Sequence, residues 1–276
     1  MTVPTIVLND GTSIPQLGFG VFKVDPDETK RIVSDALEVG YRHLDTAMIY
    51  GNETGVGAAI ADSGIERENL FVTTKLWNSD QGTQSALDAF DLSLAKLGLD
   101  YVDLYLIHWP SAHRGLYVES WKALEQIAES GRAKSIGVSN FTPKLLQPLL
   151  DAADVVPSVN QIEYHPYFQQ LESKAFNTEH GIVTESWGPL GQGDLVDDAG
   201  VDAIAAKYGK SVAQVIIRWH LDIGNIVIPK SNRKERMAEN FDVTDFSLTP
   251  EEVAVVSAVN RGEAGRKGSN PEGATF

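Results

Sequence analysis

From end to end, the chain alternates between short apolar runs of β character and longer stretches with helical spacing. The runs lie near Leu17–Gly20, His43–Asp45, Phe71–Lys75, Val102–His108, Ala133–Val138, Val159–Ile162, Val183–Ser186 and Ile226–Pro229. Between them, Gln84–Leu97 sets Leu87, Phe90, Leu94 and Leu97 on one stripe, and Val118–Glu129 and Val212–Leu221 have the same spacing. Runs such as VDLYLIH and NIVIP are predominantly apolar rather than alternating, which suits strands covered on both faces of a parallel sheet. Eight strand–helix units point to a TIM-type (β/α)8 barrel. A doubly wound open sheet is the alternative, because periodicity does not show closure. The opening TIVLNDGTSIPQLGFG predicts an N-terminal β-hairpin turning at Asn9-Asp10-Gly11. At the other end an extra helix is followed by GEAGRKGSNPEGATF, a polar, glycine-rich tail whose composition favours mobility. No linker or low-complexity block divides residues 1–276, so one domain is expected.

A formal net charge of −15 argues against nucleic acid or an anionic membrane as the main partner, and such a self-repelling surface suits a monomer. The absence of cysteine removes disulfides, thiol nucleophiles and thiolate metal sites. The N-terminus lacks the basic and apolar regions of a signal peptide, and no apolar run approaches the ~18 residues that span a bilayer. A soluble, cytoplasmic protein is expected. The six histidines are dispersed without a His-x-His pair, so no metal is expected.

If the barrel is right, chemistry belongs at the C-terminal ends of its strands. Asp45, Lys75 and His108 end three neighbouring strands, and Tyr50 follows Asp45 in a loop. Singly, each has a commoner structural role: a turn, a solvated end, a packed ring. Together they form an ordered set. The stretch TGVGAAI also comes close to a dinucleotide-binding glycine loop, but Ile60 stands where the third glycine belongs. Gly55 and Gly57 read as a turn and a close-packing position.

GYRHLDTAMIYGNE, TTKLWN, DLYLIHWP, GVSNF, NQIEYHP and IPKSNRKERMAEN, in this order, resemble the aldo-keto reductase superfamily over essentially the whole chain. The likeness is greatest to the bacterial reductases that include 2,5-diketo-D-gluconate reductase. That resemblance implies a (β/α)8 barrel without a Rossmann fold and an NADPH-dependent reduction of small carbonyl compounds. It implies a catalytic tetrad of Asp45, Tyr50, Lys75 and His108, with Tyr50 donating the proton. A free phenol titrates near ~10, and Lys75 beside it is expected to lower that value, while Asp45 keeps Lys75 charged. Ser139, Asn140 and Gln161 are implied to hold the nicotinamide carboxamide, with Trp187 stacked on its ring. Gly188, Leu190 and Gln192 belong to the loop at the pyrophosphate. Lys230, Ser231 and Arg236 match the clamp on the adenosine 2′-phosphate, and Glu239 and Asn240 the adenine contacts. Phe22, Met48, Ile49, Trp77 and Trp109 are expected to line the substrate mouth. Two alternatives remain open at this point: a lysine Schiff-base enzyme of aldolase type at Lys75, and a non-enzymatic NADPH-binding regulatory barrel.

Overall fold

The computed structural model describes residues 3–193 and 196–276, so residues 1, 2, 194 and 195 of the expected 1–276 unit lie outside the described residues. Strands β1 (Thr5–Val7) and β2 (Ser13–Pro15) pair antiparallel as the expected hairpin. Strands β3 (Phe19–Gly20), β4 (His43–Asp45), β5 (Phe71–Leu76), β6 (Val102–Ile107), β7 (Ala133–Ser139), β8 (Val159–Glu163), β9 (Val183–Trp187) and β10 (Ile226–Val227) form a second sheet, each parallel to the next in chain order. The sheet closes on itself. Leu17 bridges Val227 in parallel, Gly18 N donates to Val227 O at 2.9 Å, and Val227 N donates to Gln16 O at 2.9 Å. Closure decides for the (β/α)8 barrel over the open sheet.

The helices are α1 (Pro26–Val39), α2 (Glu53–Asp62), α3 (Thr83–Leu97), α4 (Tyr117–Glu129), α5 (Pro143–Ala152), α6 (Leu171–Glu179), α7 (Ala199–Tyr208), α8 (Val212–Asp222), α9 (Lys234–Phe241) and α10 (Pro250–Ala258). Local sequence starts them. Asp25 caps α1 ahead of Pro26, and Ser211 with Gln214 and Thr249 with Glu252 form reciprocal capping boxes on α8 and α10. Each strand divides its side chains by parity. On β6, Tyr105 and Ile107 pack outward against the helices, while Leu104 and Leu106 point into the barrel. Buried on both faces, these four positions are apolar on either side of the strand, without the alternation of a half-exposed one. Leu8 and Ile14 of the hairpin join Phe71, Leu104, Val159 and Ile226 to plug the N-terminal end. The opposite end is left to polar groups.

Three expectations change. Gly55 and Gly57 both lie within α2, so Gly55 is not a turn. A Cβ on Gly57 would stand 2.0 Å from Leu97 O, and one on Gly55 2.8 Å from Thr29 Cβ; both glycines serve close helix packing. β10 stops at Val227, short of Pro229, which has no N–H to give a ladder. The tail is built into the structure: Lys267 N and Gly268 N donate to the Glu163 carboxylate at 2.7 and 2.8 Å, and Asn78 Nδ2 donates to Phe276 O at 2.8 Å. Backbone groups do much of the anchoring, joined by the Glu272 carboxylate, which accepts from Thr142 and Lys144, and composition reports neither.

Candidate active site

Parity along the strands also builds the site. His43 and Asp45 on β4, Thr73 and Lys75 on β5, Gln161 and Glu163 on β8, and Glu185 and Trp187 on β9 share the inward face of their strands. They rise in layers from the apolar plug to the C-terminal mouth.

Lys75 is fully buried, and its Nζ donates to Asp45 Oδ1 at 2.6 Å and to Thr46 O at 2.9 Å. Burial alone would strip its proton, but the charges of Asp45, Tyr50 and Glu185 together outweigh that and raise its pKa. Tyr50 ends the one-turn segment Met48–Tyr50, with Lys75 Nζ 5.4 Å from its ring centre. Its hydroxyl lies 3.5 Å from His108 Nε2. Here the expectation of a lowered phenol fails. Burial pushes Tyr50 up to about 12, against the opposing pull of Lys75. Burial, with Lys75 nearby, pushes His108 well below the usual imidazole range, so the ring is neutral. The structure therefore brings Asp45, Tyr50, Lys75 and His108 into one contact set.

Ser139, Asn140, Gln161 and Trp187 are also joined. Ser139 Oγ donates to Gln161 O at 2.8 Å and accepts from Asn140 Nδ2 at 3.0 Å, and Trp187 Nε1 donates to Asn140 Oδ1 at 2.8 Å. Asn140 holds a left-handed backbone (φ 65°), a conformation asparagine tolerates better than most residues. Gln161 Nε2 donates to Asp45 Oδ2 at 2.7 Å and Glu185 Oε2 at 3.0 Å. Glu185, missed in the sequence, is fully buried. Burial first, and then the Asp45 charge, push its carboxyl up to about 8. Its signal was its place two residues before Trp187 on an inward face.

Gly188 to Gly193 form a loop after β9 with left-handed backbone at Gly188, Gly191, Gln192 and Gly193. Within it Leu190 is partly buried against the core. Ser231 and Asn240 are buried, while Lys230, Arg236 and Glu239 are exposed on β10's exit and α9. Gly20 N donates to Pro229 O at 3.2 Å, which sets the Lys23 loop beside Lys230. Burial and the Lys23 charge lower the Lys230 pKa. None of the ion pairs among the described residues uses Lys23, Lys230 or Arg236; the neighbouring Lys234 is paired with Asp35 and Glu38.

At the mouth, Phe22 packs on Tyr50 (ring centres 5.0 Å apart) and Trp77 meets His108 edge-on at 5.1 Å. Met48 and Ile49 sit in the turn that carries Tyr50. The terminal Phe276 was not anticipated. Its ring stacks on Trp77 at 6.2 Å and meets Trp109 edge-on at 5.0 Å.

The profile of the family described as "Aldo/keto reductase family" matches residues 16–261. The chain is similar to an aldo-keto reductase of Mycolicibacterium smegmatis, 50% identical over 99% of this chain and 98% of that one. Among solved structures it is similar to an aldo/keto reductase from Brucella melitensis, with 56% identity, a TM-score of 0.91, and coverage of 94% of this chain and 98% of that one. It is also similar to an Asp-to-Ala variant of Gox0644 in complex with NADPH, with 46% identity, a TM-score of 0.95 and full coverage of both chains.

Proposed function

This chain belongs to the aldo/keto reductase family, and from that premise we propose that it reduces small carbonyl compounds, such as aldehydes, α-dicarbonyls and keto-sugars, to alcohols with NADPH, Tyr50 delivering the proton. The general activity of the family is NADP-linked oxidoreduction of carbonyl groups. The observation that carries the finer reading is the contact set of Tyr50, His108 and the Lys75–Asp45 pair at one end of a closed barrel.

The residues present fit the cofactor. In a chain of net charge −15, Lys23, Lys230 and Arg236 stand without carboxylate partners among the described residues, and Lys23 and Lys230 repel one another. Unpaired cations of this kind suit a phosphate dianion better than a hydroxyl. Lys230, Ser231 and Arg236 would hold the 2′-phosphate, with Glu239 and Asn240 at the adenine. The 188–193 loop offers its backbone to the pyrophosphate. Ser139, Asn140 and Gln161 would hold the carboxamide, with Trp187 against the ring. When bound, NADPH supplies the hydride.

Charge then develops on the carbonyl oxygen. Tyr50 and neutral His108, whose facing atoms are 3.5 Å apart, both present N–H or O–H groups to that position, and such donors act most strongly on the transition state. Lys75 lies behind the phenol and steadies the phenolate left after proton transfer. Asp45 keeps Lys75 an ammonium, which opposes a Schiff base at that nitrogen. Phe22, Trp77 and Trp109 exclude water from the mouth.

The test is NADPH consumption with a panel of aldehydes, α-dicarbonyls and keto-sugars. Tyr50→Phe should lower turnover by roughly 10²–10⁴-fold while NADPH still binds. A variant as active as the parent would remove Tyr50 from its role. A parent that binds NADPH and reduces nothing in the panel would favour a regulatory barrel.

A further inference from the structure

The proposed chemistry has no use for Glu185. This carboxylate enters the barrel from β9 one layer below Trp187 and is fully buried. Gln161 is its register partner on β8. The single amide nitrogen of Gln161 donates to Asp45 Oδ2 and to Glu185 Oε2. A primary amide nitrogen carries two hydrogens, and here each goes to a different carboxyl group. Turned over, the amide would set its carbonyl oxygen against both. Gln161 therefore has one orientation, and Oε1 is the atom left to receive a ligand's N–H.

The second oxygen of Glu185 has a different neighbour. Oε1 has no hydrogen-bond partner and lies 3.6 Å from His43 Nε2. His43 Nδ1 lies 3.2 Å from Pro15 O, which can only accept, so the ring proton sits there and Nε2, also 3.4 Å from the Thr73 hydroxyl, keeps a lone pair. Glu185 Oε1 thus faces an acceptor, a setting that favours the neutral acid.

We propose that Glu185 is a positioning residue: with Asp45 it locks the Gln161 amide so that Oε1 meets the carboxamide N–H of the nicotinamide, and a negative charge on it works against ionisation of Tyr50. The inference rests on the functional reading above. The titratable groups that face Glu185 are His43 and Asp45 from β4, Lys75 from β5 and Tyr50 from the turn after β4; β8 contributes the neutral Gln161. Burial raises the Glu185 carboxyl to about 8. Below that pH, Asp45 is the anion that faces Lys75 in this layer. Above it a second anion enters the closed space. The Glu185 charge opposes ionisation of Tyr50, so the phenol becomes a poorer acid and reduction slows.

The experiment measures NADPH consumption with saturating 2,3-butanedione between about pH 6 and about pH 10, for the full chain and for Glu185→Gln and Glu185→Leu. The parent should lose at least about threefold in kcat across an alkaline limb near pH 8, and Glu185→Gln should lose that limb. The glutamine carbonyl accepts from Gln161, and its NH2 takes the place of the acid proton toward His43. Glu185→Leu leaves one Gln161 N–H without an acceptor, so the KM for NADPH should rise about tenfold, against a change of no more than about threefold in Glu185→Gln. A parent without the limb, a glutamine variant that keeps it, or a leucine variant with the parent's KM would overturn the proposal. If neither variant folds by circular dichroism, the parent's own profile decides. If no protein, parent included, turns over any carbonyl, it is the functional reading that fails. NADPH affinity by fluorescence then still tests the amide lock, by comparing the leucine and glutamine variants.

Discussion

Gln161 and Glu185 stand opposite one another in the β8–β9 ladder, and their side chains meet at 3.0 Å inside the barrel. The pairing places a buried acid where desolvation, aided by Asp45, raises its pKa from 4.5 to about 8. A folded-state pKa above the unfolded value means that the group's contribution to stability is complete below the unfolded pKa and is lost as pH rises through the folded one. The parent should therefore lose thermal stability between about pH 5 and about pH 8.5, by roughly 5 °C more than Glu185→Gln over the same range. Differential scanning calorimetry at matched ionic strength measures both slopes. Parallel slopes would mean that Glu185 ionises freely in the fold.

The Lys75–Asp45 pair invites a different cut. Asp45→Asn keeps the shape of the side chain but leaves the buried ammonium of Lys75 without the partner that holds it at 2.6 Å. Removing one member of a buried pair typically costs ~3–5 kcal/mol, and the lysine relieves part of that by losing its proton. With no cation behind the phenol, turnover should fall at least about thirtyfold. Urea unfolding and kcat measured on one preparation separate the two effects. A variant that is destabilised yet fully active would make the pair purely structural.

In the proposed mechanism Tyr50 sets the pH behaviour of the reverse reaction. Alcohol oxidation needs the phenolate, and a phenol pushed up to about 12 is scarcely ionised near neutrality. Each unit of pH below that value cuts the phenolate about tenfold, so oxidation by NADP+ should climb through about pH 7–10 without reaching a plateau. Reduction starts from the neutral phenol and should stay flat between about pH 5.5 and about pH 7, because His108 remains uncharged there. An oxidation plateau at neutral pH would show that Lys75 outweighs burial after all.

Why the sequence yielded some of this and not the rest follows from where its signals lie. Asp45, Lys75 and His108 were legible because each interrupts an apolar run at its C-terminal end, which is where a barrel exposes side chains. Gln161 and Glu185 sit within their strands. Gln161 came only through the family resemblance, and the search for polar strand ends passed over Glu185 altogether. Inward parity counted back from Trp187 would have found Glu185. The phenol's rise could not be read at all, because it measures burial against charge, and burial belongs to the folded molecule. The tail was misread for a similar reason. Among its anchors are the backbone N–H groups of Lys267 and Gly268, which composition does not report.

The unpaired cations give a prediction about the cofactor. Arg236 is exposed and enters no ion pair among the described residues, so Arg236→Ala should leave the fold intact. Charge-assisted hydrogen bonds to a dianion contribute about 1.5–3 kcal/mol, which corresponds to a loss of roughly 10–100-fold in NADPH affinity. NADH has no 2′-phosphate and should lose little. Fluorescence titration of both cofactors at equal ionic strength checks the ratio, and equal losses for the two would place Arg236 elsewhere on the cofactor.

Phe276 packs over Trp77 and Trp109, and its removal should change what enters the proposed substrate mouth. Its ring stacks on Trp77 and meets Trp109 edge-on, and its carbonyl is held by Asn78. Upstream, Gly268 fits against Trp187 so closely that a Cβ there would lie 2.6 Å from the indole. The tail thus reaches the site at two points, and Phe276→Ala releases only the second. The lost aromatic contact with small substrates is worth about 1 kcal/mol or more, so KM for a short aldehyde should rise roughly 3–10-fold with little change in NADPH affinity. Bulkier aromatic aldehydes, given the vacated space between the tryptophans, should gain relative to short ones. The comparison is a ratio of kcat/KM values for one short and one aromatic aldehyde, and an unchanged ratio would mean that Phe276 leaves the mouth before substrate arrives.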